Sequence, residues 1–278
     1  VSLEKNDAPD IVVTPVKGIP LFCILTKMIT KTHGIALRID PFSKTSHVVS
    51  WLTPDKGRIA TLIKGAQRPR SQFLGQYDLF YTCELVYYPG LRSSLGILKE
   101  CSPLNWRTGL REDWKACLAA SYFADLVNRL TPADVANGAL YRLVGRVLDF
   151  LGRQGGSVNT LHWAELKLLT LLGVGPRLLT CVACGSREFQ STRPAAFSIP
   201  RGGLLCDSCR ANTEGSIVPV SHDALAMLRL WQQAPNPLIA KRTTCTESQH
   251  RVMDKLLGGF LAYHMESTRS RDIAMEML

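Results

Sequence analysis

Apolar and polar positions alternate in short bursts through the first third of the chain, then change to a longer period. Gly34–Ile39 and Ser46–Thr53 are short β-prone runs. Pro54-Asp55-Lys56-Gly57 is a turn sequence in which glycine can take positive φ. Arg58–Lys64 alternates, with Ile59, Thr61 and Ile63 on one face and Arg58, Ala60, Leu62 and Lys64 on the other. Tyr77–Tyr88 carries Leu79, Tyr81, Cys83, Leu85 and Tyr87 at period two, and Leu95–Lys99 is a fifth run. Five short strands joined by Gly/Pro turns, with no helix between them, predict a small closed barrel. The five-stranded OB-fold is the candidate.

From about Leu110 the period is helical. Trp114, Leu118, Tyr122, Leu126 and Leu130 recur at steps of four, with Cys117 and Val127 widening the stripe. Thr131-Pro132 reads as a cap and restart, with proline at a helix-opening position. Leu140, Leu143, Val144, Val147, Leu148 and Leu151 predict a second helix, ended by Gly152–Gly156. Leu161, Ala164, Leu168, Leu171 and Leu172 predict a third, ended by Gly173–Pro176. Two more helices close the chain. One starts near Ser221 and carries Leu225, Leu228 and Trp231; the other opens on the capping box Thr246–Gln249 and carries Val252, Leu256 and Phe260. The fold class is α+β. Residues 1–31 form an unassigned N-terminal arm, with a short strand near Ile11–Val13. Residues 32–105 form the barrel, and 106–278 a helical domain with a module at 178–212 inserted in it.

That module contains Cys181-Val-Ala-Cys184 and Cys206-Asp-Ser-Cys209, two Cys-x-x-Cys turns with 21 residues between them. Each turn puts two sulfurs on one side of a tight loop, and two facing turns make a tetrahedral cage for Zn²⁺. With all four positions taken by thiolates no coordination site is left for substrate, so the metal would be structural. Two disulfides or an iron–sulfur cluster are the competing uses of four thiols. Cys23, Cys83, Cys101, Cys117 and Cys245 are scattered and read as small core residues.

The 278 residues suffice for about two domains, and 46% hydrophobic content supports a packed core. A net charge of +10 favours an acidic partner, of which nucleic acid is the commonest. No apolar run approaches the ~20 residues of a bilayer span. No secretory signal is visible at the N-terminus, where the first residue is Val1. The expected setting is the cytoplasm, in association with the nucleoid.

Between Asp55 and Asp78 the charges are all of one sign: Lys56, Arg58, Lys64, Arg68 and Arg70. Pro69 breaks any strand, so Gln67–Gln72 reads as a loop tip whose arginines face water or a ligand. On a barrel this makes a groove for phosphates, and Trp51, Phe73, Phe80 and Tyr88 are nearby faces for base stacking. The competing reading is a solvated strand face over a core of aromatics; for any single aromatic the core is favoured. The phosphate loop, the nucleophile elbow and the His-Glu-x-x-His pair are all missing, so no enzyme is expected. His162, near a helix start, reads as a surface or capping residue, and His222 and His264 have no acidic partner at a suggestive spacing.

Several stretches together resemble the RecO family of bacterial DNA repair and recombination proteins. Gly57–Ser71 is similar to the family's third strand running into a Lys-Gly-Ala-Arg-Arg-Pro-Lys-Ser type loop, with Gln67 where a second arginine is common. Leu166–Pro176 is similar to its helix entering the zinc knuckle. Cys181–Gly185, Phe197–Gly203 and Cys206–Cys209 resemble the knuckles and the hairpin between them. The resemblance runs from about Thr32 to the C-terminus and leaves out the first 30 residues.

It implies a recombination mediator that binds single- and double-stranded DNA and anneals complementary strands, including strands coated with single-strand-binding protein (SSB). With RecR, such a protein helps load RecA. Lys56, Arg58, Lys64, Arg68 and Arg70 would contact phosphates, and Cys181, Cys184, Cys206 and Cys209 would hold one zinc. The helical part would grip the acidic C-terminal tail of SSB in an apolar pocket edged by basic residues, with Arg129, Arg142 and Arg146 as basic helix positions. A zinc-containing adaptor without annealing activity is the alternative, and an RNA-binding or tRNA-modifying enzyme is a third reading that lacks a catalytic constellation.

Overall fold

In the computed structural model, residues 29–90, 94–189, 193–265 and 268–278 are described. The expected strand near Ile11 lies outside them, as does Cys23. The first five strands are β1 (Thr30–Ser43), β2 (Ser46–Thr53), β3 (Gly57–Ile63), β4 (Thr82–Tyr88) and β5 (Leu95–Asn105). They close into a barrel in the order β1-β2-β3-β5-β4, with β3 and β5 parallel and the other pairs antiparallel. This is the OB-type barrel that the strand pattern predicts. Closure depends on β1. Its first half pairs with β4 and its second half with β2, and register shifts at Ala36/Arg38 and Pro41/Ser43 mark where it bends. Ile59, Thr61 and Ile63 of β3 point into the barrel, as their alternation requires. Trp51 fills the centre and donates its indole N–H to Thr61 Oγ1 at 2.8 Å, which satisfies the polar atom of a fully buried ring.

The expected fourth strand starts late. Tyr77–Tyr81 is irregular, and the chain turns through Phe80 at φ 68° before β4 begins. The turn sends Phe80 into the apolar contact between barrel and helices.

The helices that follow are α1 (Gly109–Glu112), α2 (Trp114–Leu130), α3 (Gly138–Gln154) and α4 (Val158–Leu171). Asp113 caps α2 by accepting from the amides of Lys115 and Ala116. The buried side of α2 runs through Ala116, Ala119, Ala120 and Phe123, which leaves Trp114 exposed. Pro132 opens no helix. Residues 131–137 stay non-helical because they dock on the barrel: Ala133 bridges to Arg58, the chain turns through Asp134 at φ 59°, and the Asp134 amide donates to the Arg58 carbonyl at 3.0 Å. The restart is at Asn137, whose side chain caps Leu140.

The inserted module holds β6 (Ala195–Ser198), β7 (Gly203–Leu205), α5 (Asp207–Ala211) and β8 (Ile217–Val220), with sheet order β7-β6-β8. The chain then adds α6 (His222–Gln233), α7 (Leu238–Arg242), α8 (Glu247–His264) and α9 (Arg269–Met277). Where two helices were expected, four form: α6 and α8 match the pattern, and α7 and α9 are short additions. The Thr246/Gln249 capping box opens α8. α4 is wrapped by α2, α3, α6, α7 and α8, and ten of its residues are buried.

One apolar core runs through the junction, since Ile35, Leu37, Leu52 and Phe80 of the barrel pack with Phe123, Leu140 and Val144 of the helices. Arg107 locks it from the side. Its buried guanidinium bonds Asp149 Oδ1 at 2.7 Å, Thr82 Oγ1 at 2.9 Å and the Phe80 carbonyl. No helix among the described residues is long and apolar enough to cross a membrane.

Candidate nucleic-acid interface and metal centre

The four cysteines of the two knuckles converge. Their sulfurs all lie within 4.8 Å of one another, with Cys184 and Cys206 at 3.6 Å, and all four are free thiols. A tetrahedron of Zn–S bonds of ~2.3 Å puts sulfurs about 3.8 Å apart, so the cage has the right size for that ion. Disulfide pairing is not what the structure holds. The local fold explains the convergence. The Gly185 amide closes the first turn on the Cys181 carbonyl at 2.9 Å, and the Arg210 amide closes the second on Cys206 at 2.8 Å. Val182 and Leu204 then pair the two halves backbone to backbone. Burial opposes ionisation of Cys181, but the amides of Cys206, Cys184 and Ala183 outweigh it and hold the thiol down at about 6. Hydrogen bonds from the Cys206 and Cys184 side chains push Cys209 the other way, up to about 12. Four anions at this spacing repel, and a divalent cation removes the repulsion.

The five expected phosphate contacts do not form one group. Lys64, Arg68 and Arg70 come together at one end of β3 and on the loop after it, all exposed and without an ion pair among the described residues. That loop is a chain of tight turns pinned by buried Ala66 and Phe73, so the arginines on either side of Pro69 are held outward. Gln67 is exposed too, but its side chain folds back along the barrel surface. It contacts the His47 ring, whose other nitrogen meets the Tyr77 hydroxyl at 2.6 Å. Burial pushes the Tyr77 hydroxyl up to about 12, aided by the charge of Asp78. The neighbouring β1–β2 turn adds exposed Lys44, because the Thr45 carbonyl accepts the Gln67 amide at 3.1 Å. The turn sequence at Lys44 was the only signal of this, and nothing local tied it to the loop.

Lys56 and Arg58 sit at the other end of β3, roughly 20 Å from Lys64 at ~3.3 Å per residue. Arg58 is committed there, its Nε donating to the Thr131 carbonyl at 3.0 Å. Lys56 is exposed beside Asp55, at 3.8 Å. The five therefore do not share one surface, and the Nε of Arg58 ties the barrel to the segment that follows α2. Trp51, Phe73 and Phe80 are buried core residues, and of the four aromatics only Tyr88 is partly open.

A second basic feature lies on the helices. Arg142, Arg146 and Lys167 edge a pocket of about 270 Å³ floored by Leu143, Trp163 and Leu171. Burial lowers the Lys167 pKa, and Arg146 lowers it further, so this rim is short of negative charge. Arg129 is elsewhere, paired with Asp125 at 2.9 Å. His162 is neither a surface residue nor a cap. It is fully buried in α4, with both ring nitrogens lacking a hydrogen bond, because α4 is covered on all sides. His222 contacts the Arg193 carbonyl at 2.8 Å, and the His264 ring packs on Phe260. Cys83 and Cys101 are buried in the barrel, while Cys117 and Cys245 are half-buried.

Residues 28–107 match the family model described as Recombination protein O N terminal, and residues 111–272 match Recombination protein O C terminal. Curated relatives agree. The chain is 31% identical over 196 residues to the DNA repair protein RecO of Rhodopirellula baltica, covering 70% of this chain and 72% of that one. It is 32% identical over 241 residues to the RecO of an Exiguobacterium species, covering 86% and 91%. The RecO of Alkaliphilus metalliredigens is 29% identical over 248 residues, covering 86% and 95%.

Proposed function

The chain belongs to the RecO family, a family of DNA repair, and from that premise we propose a non-enzymatic recombination mediator that binds single- and double-stranded DNA and anneals complementary strands. The observation that carries this reading is the exposed, unpaired trio Lys64, Arg68 and Arg70 held outward on an OB-type barrel, with Lys44 beside it. Each phosphate contact releases condensed counterions, so binding weakens steeply with salt and has little sequence preference. Annealing needs no bond chemistry. A basic surface that neutralises two polyanions lowers their repulsion, and base pairing supplies the free energy.

Zn²⁺, one per chain on Cys181, Cys184, Cys206 and Cys209, is the structural cofactor in this reading; it shapes the inserted module and takes no part in annealing. The pocket edged by Arg142, Arg146 and Lys167 suits the acidic C-terminal tail of SSB, with carboxylates on the rim and an apolar end on Leu143 and Leu171. RecR is the partner with which the protein helps RecA onto SSB-coated DNA, in the cytoplasm at the nucleoid.

The test is annealing of two complementary oligonucleotides, bare and SSB-coated, at low and moderate salt. Acceleration that fades with salt, and that persists on coated strands only when the SSB tail is intact, is the expected result. Folded, metal-loaded protein that accelerates neither reaction would overturn the annealing reading in favour of an adaptor.

A further inference from the structure

At the seam between barrel and helices, where β5 runs out toward α1, there is a cleft of about 550 Å³. Leu104 and Trp106 stand open at its mouth, each 55% exposed. Trp51, Trp163 and Trp231 are fully buried, and Trp114 is the other open one. No element among the described residues covers Trp106, and burying its ring is not part of holding the domains together.

The charge around the cleft is asymmetric. Asp149 is spent internally, since its Oδ1 accepts from Arg107 Nε at 2.7 Å and from Asn105 Nδ2 at 3.2 Å. The Arg107 side chain is itself buried, with its Nε and Nη1 already bonded to Asp149, Phe80 and Thr82. Arg153, in the last turn of α3, also lines the cleft. It is exposed and makes no hydrogen bond or ion pair among the described residues. The cleft thus offers one flat aromatic face and one free cation.

Two contacts tie its surroundings to the basic loop. Arg111 pairs with Asp78 at the loop's far end at 2.7 Å and donates to the Trp106 carbonyl at 3.4 Å. Gln72 lays the middle of the loop along β5, donating to the Lys99 carbonyl at 3.1 Å. A backbone that leaves Lys64, Arg68 and Arg70 can follow β5 toward Trp106.

We infer that this cleft takes an unpaired nucleobase of a single strand, stacked on Trp106, with an adjoining phosphate on Arg153. The inference rests on the nucleic-acid reading and adds a strand preference to it. A duplex keeps its bases stacked inside, so only a single strand can use the indole. Stacking on an aromatic face tolerates any base and adds to a basic track that holds the phosphates.

The full chain is titrated with a fluorescent mixed-sequence single strand and with the matching duplex, at several salt concentrations. Trp106→Ala is expected to weaken single-strand binding about five- to a hundred-fold and leave duplex binding unchanged. Trp106→Phe should keep most of the affinity, and Trp114→Ala all of it. Quenching of tryptophan fluorescence by the single strand should vanish in Trp106→Ala and persist in Trp114→Ala. Arg153→Ala should make the single-strand salt slope shallower by about 0.7, and it remains a test if the indole truncation fails to fold. Unchanged single-strand affinity in Trp106→Ala, or equal loss on both substrates, overturns the inference while leaving the DNA-binding reading in place; the open indole would then serve a protein contact. Wild-type protein that binds neither substrate removes the DNA-binding reading itself, and this inference with it.

Discussion

Arg271 of α9 closes on Glu165 of α4, 106 residues away, with Nε 2.8 Å from Oε1 and both side chains almost fully buried. Tyr122 donates to the same carboxylate at 2.5 Å, and Arg271 Nη1 reaches Asp254 at 2.7 Å. The short C-terminal helix is thereby bolted to the centre of the helical domain. Breaking one side of such a pair leaves a buried charge uncompensated. Arg271→Met should cost ~3–5 kcal/mol, while Glu165→Leu combined with Arg271→Met should recover much of the loss. Urea unfolding of the two variants checks this; equal destabilisation by both would mean that the lost packing of α9, and not the stranded charge, dominates.

The same network makes stability depend on acid. Asp254 is held down at about 2, against an ordinary 3.8, by His162 and by the charge of Arg271, while burial pushes it up. His162 stands 3.9 Å away, too far for a good hydrogen bond, whereas Arg271 Nη1 bonds Asp254 directly at 2.7 Å. A carboxylate with a depressed folded pKa stabilises fully above its unfolded value, and the contribution is lost as pH falls through the folded one. Stability should therefore fall between about pH 4 and pH 2, and Asp254→Asn should flatten that part of the curve. Parallel curves for both proteins would show that Asp254 is not responsible.

At Gly57 the barrel comes up against the segment between α2 and α3. Its φ is +69°, and a Cβ there would lie 2.1 Å from the Val135 carbonyl oxygen. Backbone cannot swing aside as a side chain can. Gly57→Ala combines ~1–2 kcal/mol of left-handed strain with that collision. It should lower the unfolding midpoint clearly, whereas Gly75→Ala, also at positive φ but with open space around it, should cost only the strain.

These residues also mark what could be read in the sequence. The period-two pattern of Ile59, Thr61 and Ile63 and the spacing of the four cysteines are local signals, and the structure keeps both. The same alternation puts Arg58 and Lys64 on one outer face, where they look equivalent. They differ because residues 131–137 cover one end of β3, which no local pattern records. Pro132 misleads for the same reason: docking on the barrel outweighs its preference for opening a helix. His162 had a signal that was available, since Leu161, Trp163, Ala164 and Leu166 make α4 apolar on every side, the mark of a buried helix. Arg271 had none, because its partner is in another helix far along the chain.

The two ends of β3 should separate in mutation. Replacing Lys64, Arg68 and Arg70 together by alanine should make the duplex salt slope shallower by about 2.7, with little change in stability. Arg58→Leu should do the reverse. It removes a charge-assisted bond to the Thr131 carbonyl, worth ~1.5–3 kcal/mol, from a site that faces the helices. Salt-dependent DNA titration and thermal unfolding of both variants distinguish them. A large loss of DNA affinity in folded Arg58→Leu would return that residue to the phosphate track.

The cysteine cage yields a prediction that no other part of the fold shares. Its four sulfurs sit at the spacing of a filled zinc site, and the strand pairing around them is brief: β6 and β8 have four residues each and β7 three. So little sheet cannot hold four thiols together by packing alone, and the metal should supply the missing free energy. Protein purified without chelator should carry one zinc per chain by elemental analysis, and Cys184→Ser should carry far less. Because Cys184 is exposed, its replacement should leave the barrel and α2–α4 folded while the module around residues 181–209 gains hydrogen exchange. Zinc content near zero in folded wild-type protein, with the module still protected, would show that the thiols pack without an ion.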